Sequence, residues 1–217
     1  MVRGLTDVHD QRERALAAAF ELFQAQGIDA VTLRAIASAV NVTAMALYRY
    51  FPGGKTEILA TLRGRGFEEL AARFDAAVCD VPNPIEQILA LTISLVRFAL
   101  DSPGLYRLMF DVTQAEENEA YLAPRRKLAW RRPGEAFAEA IRRGLLQGEP
   151  EILPHLVFAA VHGMISFQLS GQPQAARKLT VMMVPLMELL LRGAGATPAV
   201  LRKAQALAEP TLWTRVD

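Results

Sequence analysis

Apolar residues recur at helical spacing along almost the whole chain, and no stretch shows the sustained alternation of a strand. The first stripe, Leu16, Ala19, Phe20 and Phe23, predicts a helix from about His9 or Asp10 to Gly27, a residue that favours helix ends. Thr32 is placed to cap a second, short helix carrying Leu33, Ile36, Ala37 and Val40, and Thr43 to cap a third that reaches about Tyr50. Phe51-Pro52-Gly53-Gly54 then breaks the chain, and a fourth helix is predicted from about Lys55 toward Val78.

Asn83-Pro84 reads as a cap and a first helical residue. Ile85, Ile88, Leu89, Leu91, Thr92, Leu95, Val96 and Ala99 make the following helix apolar over most of its surface, which predicts a central place in a bundle. Asp101-Ser102-Pro103-Gly104 ends it and opens a short helix through Phe110. After a polar break from Thr113 to Asn118, the segment containing Pro124 and Pro133 reads as kinked or split. Two more helices are expected at about Pro150–Leu169 and Pro173–Arg192, with a short, weakly held one from Thr197. The pattern predicts an all-α protein. Residues 1–55 form a three-helix head and 56–217 a connecting helix with a C-terminal helical bundle.

Composition narrows this only a little. Apolar residues make up 52% of the 217 and the net charge is +1, which fits a globular protein and by itself points to no polyanionic partner. Met1 to Val78 carries as many acidic as basic residues, so any electrostatic footprint must come from placement on one face. Cys79 is the single cysteine; its flank Ala76-Ala77-Val78 suits a buried, small apolar side chain rather than an activated nucleophile. The start MVRGLTDVHDQRER lacks the apolar core of a signal peptide, and the apolar runs Ile85–Leu100 and Val181–Leu191 are interrupted, short of the roughly twenty residues a membrane span needs. A cytoplasmic protein is expected. His9, His155 and His162 are scattered, and no HExxH, Gly-x-Ser-x-Gly or phosphate-loop pattern occurs, which disfavours an enzyme and implies no metal or cofactor.

The functional signal lies between Arg12 and Leu59. Two short helices joined by a tight turn and buttressed by a longer one form a helix-turn-helix. Asn41 is one of the few non-glycine residues that tolerates the left-handed turn between Val40 and Val42. Ile36, Val40, Val42 and Leu47 are spaced to pin the two helices together. Thr43, Ala44, Met45, Ala46, Tyr48, Arg49 and Tyr50 are left for the other side, which can enter a major groove. The bland alternative is three buried helices with Tyr48 and Phe51 as core aromatics.

The run Arg12, Leu16, Ala18-Ala19, Leu22-Phe23, Gly27, Thr32, Ile36-Ala37, Val42-Thr43, Leu47-Tyr48, Phe51 and Lys55 resembles the DNA-binding domain of the tetracycline-repressor (TetR) family. It departs from the usual pattern at Val40-Asn41, at Met45-Ala46 and in a Gly53-Gly54-Lys55 linker one residue longer than the commonest form. The resemblance implies phosphate contacts from Thr32, Thr43, Tyr48 and Lys55. Arg34 and Arg49 are the candidates for base edges, and Ala44, Met45 and Ala46 for thymine methyl groups. An effector-responsive repressor on a pseudo-palindromic DNA operator is the implied function. The alternative is a helical ligand-binding or interaction protein whose head no longer binds DNA.

Further on, Phe98-Ala99, Pro103 to Phe110 and Val161-His162-Gly163-Met164 resemble a subgroup of the family's C-terminal domains marked by Trp-His-Gly, with Val161 in place of the tryptophan. That implies a bundle that binds a small-molecule effector and forms a homodimer through the helices near 150–170 and 173–192. Small residues Ala159, Ala160, Gly163 and Ser166 allow close helix approach, and Val181, Met182, Val184, Leu186, Leu189 and Leu190 supply apolar surface. Both helices could instead complete a monomer core. For the effector pocket, Phe98, Leu105, Met109, Phe110, Trp130, Phe137, His162 and Phe167 are the candidates, suited to an apolar or aromatic molecule. His162 reads equally well as a core histidine. The basic run Arg125 to Arg132 reads as a solvated face without a functional role.

Overall fold

The computed structural model describes residues 2–112, 118–171 and 179–202, with the side chains of 2–8 and 180 left aside. Every regular element among the described residues is helical. In order they are α1 (Val2–Gln26), a 3-10 turn (Ile28–Ala30), α2 (Leu33–Ala39), α3 (Ala44–Tyr50), α4 (Gly54–Val78), α5 (Pro84–Asp101), α6 (Pro103–Phe110), α7 (Glu119–Arg142), α8 (Leu153–Leu169) and α9 (Leu179–Gly193). The chain divides into two compact units. One comprises Met1–Glu69 with Ser102–Leu128, the other Leu70–Asp101 with Ala129–Asp217.

The core of the first unit gathers Leu16 and Ala19 of α1, Ile36 of α2, Leu47 of α3 with Phe51 at its end, Ile58 and Leu62 of α4, and Leu108 of α6. Gly27 ends α1 at φ 83°, its N–H donating to Phe23 O at 2.9 Å. The start of α1, however, lies seven residues before the expected His9. From His9 onward the first buried position is Ala15, so the described residues ahead of it carry no apolar stripe that marks a helix start. Two glycines in α4 let neighbours close in. A Cβ at Gly66 would stand 2.4 Å from Met109 Sδ, and one at Gly64 would stand 2.8 Å from Tyr121 Cε1.

In the second unit α5 begins as expected. Asn83 Oδ1 accepts from the Ile85 N–H at 2.9 Å, and Ile85, Ile88, Leu91, Leu95, Phe98 and Ala99 are all buried. Thr92 is buried with them because its hydroxyl donates to Ile88 O at 2.9 Å, leaving no polar atom stranded.

Three expectations need correction. The segment holding Pro124 and Pro133 is a single helix, α7, neither split nor ended by its prolines. Leu122, Ala129, Pro133, Ala136, Phe137 and Ala140 form one buried face along it, and ion pairs Arg126–Glu119, Arg132–Glu135 and Arg142–Glu139 lace its outside, so the lost backbone bonds are outweighed. The helix expected from Pro150 starts at Leu153: Glu149 O accepts from Ile152 and Leu153 in a turn, and Pro154 takes the place at the helix start. Cys79 is exposed rather than buried, because α4 ends at Val78 and the chain turns there. Its neighbour Asp80 accepts from the thiol and pushes its pKa up, so it is not an activated nucleophile either. The expected helix start at Pro173 and most of the expected C-terminal helix lie outside the described residues.

Candidate nucleic-acid interface

The turn between α2 and α3 is set by backbone chemistry. Asn41 stands at φ 57°, the one described non-glycine residue with a positive φ. Its N–H donates to Ser38 O at 3.2 Å, and the Val42 N–H reaches back to Ala37 O at 2.9 Å. These two bonds are a Schellman closure: they satisfy the last carbonyls of α2 and reverse the chain within two residues. Both flanking helices are capped as the sequence predicts. Thr32 Oγ1 accepts from Ala35 N–H at 3.1 Å, and Thr43 Oγ1 from Ala46 N–H at 3.2 Å.

Beneath this frame Ile36, Val40 and Leu47 are buried and Val42 packs against them. Phe51 is fully buried, but Tyr48 is not a core aromatic: it is 47% exposed, and Met45 is 76% exposed. Thr43 and Arg49 are exposed beside them, while Ala44, Ala46 and Tyr50 are half-buried at the margins. The Tyr48 ring has a fixed back wall, since a Cβ at Gly54 (φ 61°) would stand 3.4 Å from its Cε1. Thr32 and Arg34 are exposed on α2 and its cap. Lys55 is half-buried, its Nζ donating to Ile28 O at 2.9 Å.

Charge placement resolves the apparent neutrality of the head. Glu13 is held by Arg65 through two bonds of 2.6 Å, which pull its pKa below the usual glutamate range, and Glu57 pairs with Arg12 at 3.3 Å. Arg34 and Arg49 make no ion pair among the described residues, so their charge is available to an anion. The basic run of α7 is the opposite case. Arg125 pairs with Glu68, Arg126 with Glu119, and Arg131 and Arg132 both with Asp75. That run is a neutralised face.

The pocket candidates fall into separate groups. In the first unit Leu105, Met109 and Phe110 gather by Gly66 and Phe67, with Phe110 edge-on to Phe67 at 5.8 Å and tilted on Tyr106 at 4.8 Å. In the second unit Phe98 and Phe137 are buried, the Phe98 ring lying under the Arg73 guanidinium at 5.2 Å. Trp130 and His162 join a ladder there: Trp130 stacks on His155 at 5.0 Å and meets Phe158 edge-on, and Phe158 stacks on His162 at 5.5 Å. His162 Nε2 lies 3.4 Å from the Ser166 hydroxyl. Phe167 stands apart from these, exposed on the same side of α8 as Leu156 and Gly163.

Sequence reasoning assigned no contact to three residues that the fold engages. Arg12 and Glu57 meet across the head at a separation of 45 residues, which no local pattern encodes. Arg63 is buried in α4, its Nη2 donating to Met109 O at 3.0 Å while burial pushes its pKa down. Its only signal is its place among Leu59, Leu62 and Phe67. Among the described residues no cluster could hold a metal ion, and no single helix is long and apolar enough to cross a membrane.

A capped, Schellman-turned helix pair with an uncovered second helix defines a helix-turn-helix DNA-binding protein. Residues 15–62 match the family model for bacterial regulatory proteins of the tetR family, and residues 88–193 match that for the tetracyclin repressor-like C-terminal domain. The two matches cover roughly seven-tenths of the sequence, and the chain belongs to the TetR family of transcriptional regulators, which are not enzymes. It is 32% identical over 100 residues to the HTH-type transcriptional repressor KstR of Mycolicibacterium smegmatis, a match covering 46% of this chain and 48% of that one. The chain thus spans about half the length of the curated relatives it matches. Among solved structures, a bacterial regulatory protein in the tetR family from Rhodococcus RHA1 is similar with a TM-score of 0.68 at 20% identity, over 86% of this chain and 98% of that one. RolR in complex with resorcinol is similar with a TM-score of 0.61 at 18% identity, over 96% and 99%. At such identities the likeness establishes the fold.

Proposed function

We propose that this chain is a ligand-responsive repressor, bound as a homodimer to a two-fold operator and released from it by a small apolar or aromatic effector. The observation that carries the reading is the outward side of α3. Thr43, Met45, Tyr48 and Arg49 are uncovered on a helix whose geometry is fixed from behind. In this reading Thr32, Thr43, Tyr48 and Lys55 contact phosphates, Lys55 with the donors that Ile28 O leaves over. Arg34 and Arg49 hydrogen-bond base edges, guanine being the favoured partner. Ala44, Met45 and Ala46 lie against thymine methyl groups. Residues 1–55 read DNA in the cytoplasm, and 56–217 bind effector and dimerise.

The dimer is supported by two uncovered apolar stripes in the second unit. Ile152, at the cap of α8, and Leu156, Ala159, Gly163 and Phe167 recur at helical spacing; Val181, Pro185 and Leu189 do so on α9, with Leu189 70% exposed. Such surface in contact with water favours association with a second copy. Phe167 belongs to this stripe better than to a pocket. For the effector, Leu105, Met109, Phe110, Phe98, Phe137, Trp130 and His162 supply aromatic and thioether surface. RolR, a fold relative, holds the aromatic diol resorcinol. The Val161-His162-Gly163 run supports placement in the Trp-His-Gly subgroup.

The test is to sequence the genomic fragments retained by the purified protein. A two-fold-symmetric motif is expected, and no enrichment over input overturns the reading. An aromatic compound that raises the thermal midpoint must then weaken operator binding, because linkage is reciprocal. Binding without any such effect contradicts the effector part.

A further inference from the structure

The outward side of α3 can read DNA only if the helix is held at a fixed angle, and α3 is too short to hold itself. Seven residues make fewer than two turns, below the length at which an isolated helix is stable in water. Its first N–H groups are served by the Thr43 cap, but its last carbonyls have no helical successors.

One side chain closes that end. Arg12, on α1, donates from Nη1 to Tyr50 O, the last carbonyl of α3. Its guanidinium lies 4.2 Å from the centroid of the Phe51 ring, which is wholly buried. Its Nη2 donates to Glu57 Oε1 at 3.3 Å, and Glu57 Oε2 accepts from the Gly53 N–H at 2.9 Å. The Thr56 hydroxyl closes the same turn by donating to Gly53 O at 2.9 Å. A single planar cation therefore joins α1, the carboxyl end of α3 and the first turn of α4, where the α3 dipole also favours positive charge.

We propose that Arg12, working with Glu57, is a positioning residue that sets the angle of α3 for operator reading. It touches no base. Without the clamp α3 stays tethered at Thr43 and is released at Tyr50, so Tyr48 and Arg49, in the last turn, move most. Base contacts depend on paired hydrogen bonds with narrow geometry, whereas non-specific phosphate attraction does not. Opening the clamp thus lowers specific affinity and spares non-specific affinity. The proposal rests on the DNA-reading function above.

The experiment uses the full chain as wild type, Arg12→Gln, Arg12→Lys and Glu57→Gln. Each is titrated across a range of salt against the duplex that wild type selects from a randomised pool, and against a scrambled duplex of equal length. Both glutamine variants are expected to lose about tenfold or more on the selected duplex, with little change on the scrambled one and an unchanged salt slope. Arg12→Lys should recover part, since an ammonium reaches one of the two acceptors but not both.

Glu57→Gln is decisive because it removes a negative charge from the head. Simple electrostatics predicts tighter binding, the clamp weaker. Equal or tighter binding to the selected duplex overturns the proposal. So does an Arg12→Gln loss shared by both duplexes with the salt slope lowered by about one, the signature of a direct phosphate contact. If wild type selects no duplex, the DNA-reading function fails, and the clamp is judged by amide exchange alone. The Phe51 N–H, bonded to Leu47 O at 2.8 Å, should exchange faster in Arg12→Gln at an unchanged unfolding midpoint, and unchanged exchange overturns the clamp.

Discussion

α3 and α8 each leave one side uncovered, and the two sides differ in kind. On α3 and its cap the uncovered positions are Thr43, Met45, Tyr48 and Arg49, a hydroxyl, a thioether, a phenol and a cation, over a helix of seven residues. On α8 and its cap they include Ile152, Leu156, Ala159, Gly163 and Phe167, a stripe without a charge over a helix of seventeen. A polar, hydrogen-bonding side suits a hydrated polyanion read by specific contacts. An uncharged stripe gains nothing from such a partner and much from another apolar surface. The manner of support differs as well. α3 is shaped by caps, a Schellman turn and a buried aromatic behind it, whereas α8 is held through Pro154, Val157, Val161 and Ile165 in the core of its unit.

The comparison can be broken most forcefully on the α8 side. Leu156→Glu puts a carboxylate into the proposed interface, where Leu156 is 59% exposed in the single chain. It should weaken dimerisation by about 3 kcal/mol, roughly a hundredfold, seen by sedimentation as a shift from two chains to one at micromolar concentration. An unchanged mass would place the interface elsewhere.

On the α3 side the turn should matter more than the cap. Asn41→Val forces a β-branched residue to φ 57° and should cost about 1–2 kcal/mol in urea unfolding, while Asn41→Gly should be close to neutral. Equal cost for both would show that the Asn41 side chain rather than its backbone angle sets the turn. Thr43→Ala removes the bond to Ala46 N–H and should cost about 1 kcal/mol, measured in the same way.

The smallest effect is expected at Asp75, in the second unit. Hydrogen bonding from Arg132, with Arg131 nearby, holds its pKa below the usual aspartate value. Its contribution is therefore complete above that usual value and is lost as pH falls through the lowered one. These groups are well exposed, so Asp75→Asn should cost only a few tenths of a kcal/mol at neutral pH, and the gap to wild type should close as pH falls below the usual aspartate value. A gap that persisted in acid would mean the asparagine disturbs packing instead.

Legibility in the sequence followed the range of the interactions. Thr32, Asn41, Thr43 and Asn83 act on neighbours within three residues, and their roles as caps and turn were readable. The long unbroken α7 was not, because Pro124 and Pro133 carry a local stop signal that burial of Leu122, Ala129 and Phe137 overrides. Cys79 was misjudged because its alanine flank looks buried until α4 is seen to end beside it. Period alone marked Thr43, Met45, Tyr48 and Arg49 as outward-facing, but it also put Ala44, Ala46 and Tyr50 on that side, and these are half-buried at its margins. The Arg12–Glu57 tie was not legible, since its partners are brought together only by the packed head.

The most direct test of α3 as the DNA-reading element is the affinity of wild type and Tyr48→Ala for the wild-type-selected duplex, measured against salt concentration. Wild-type affinity should fall steeply as salt rises, and Tyr48→Ala should bind at least about tenfold more weakly with dimer mass and helicity unchanged. A Tyr48→Ala protein that binds that duplex as tightly as wild type at every salt concentration would contradict the account.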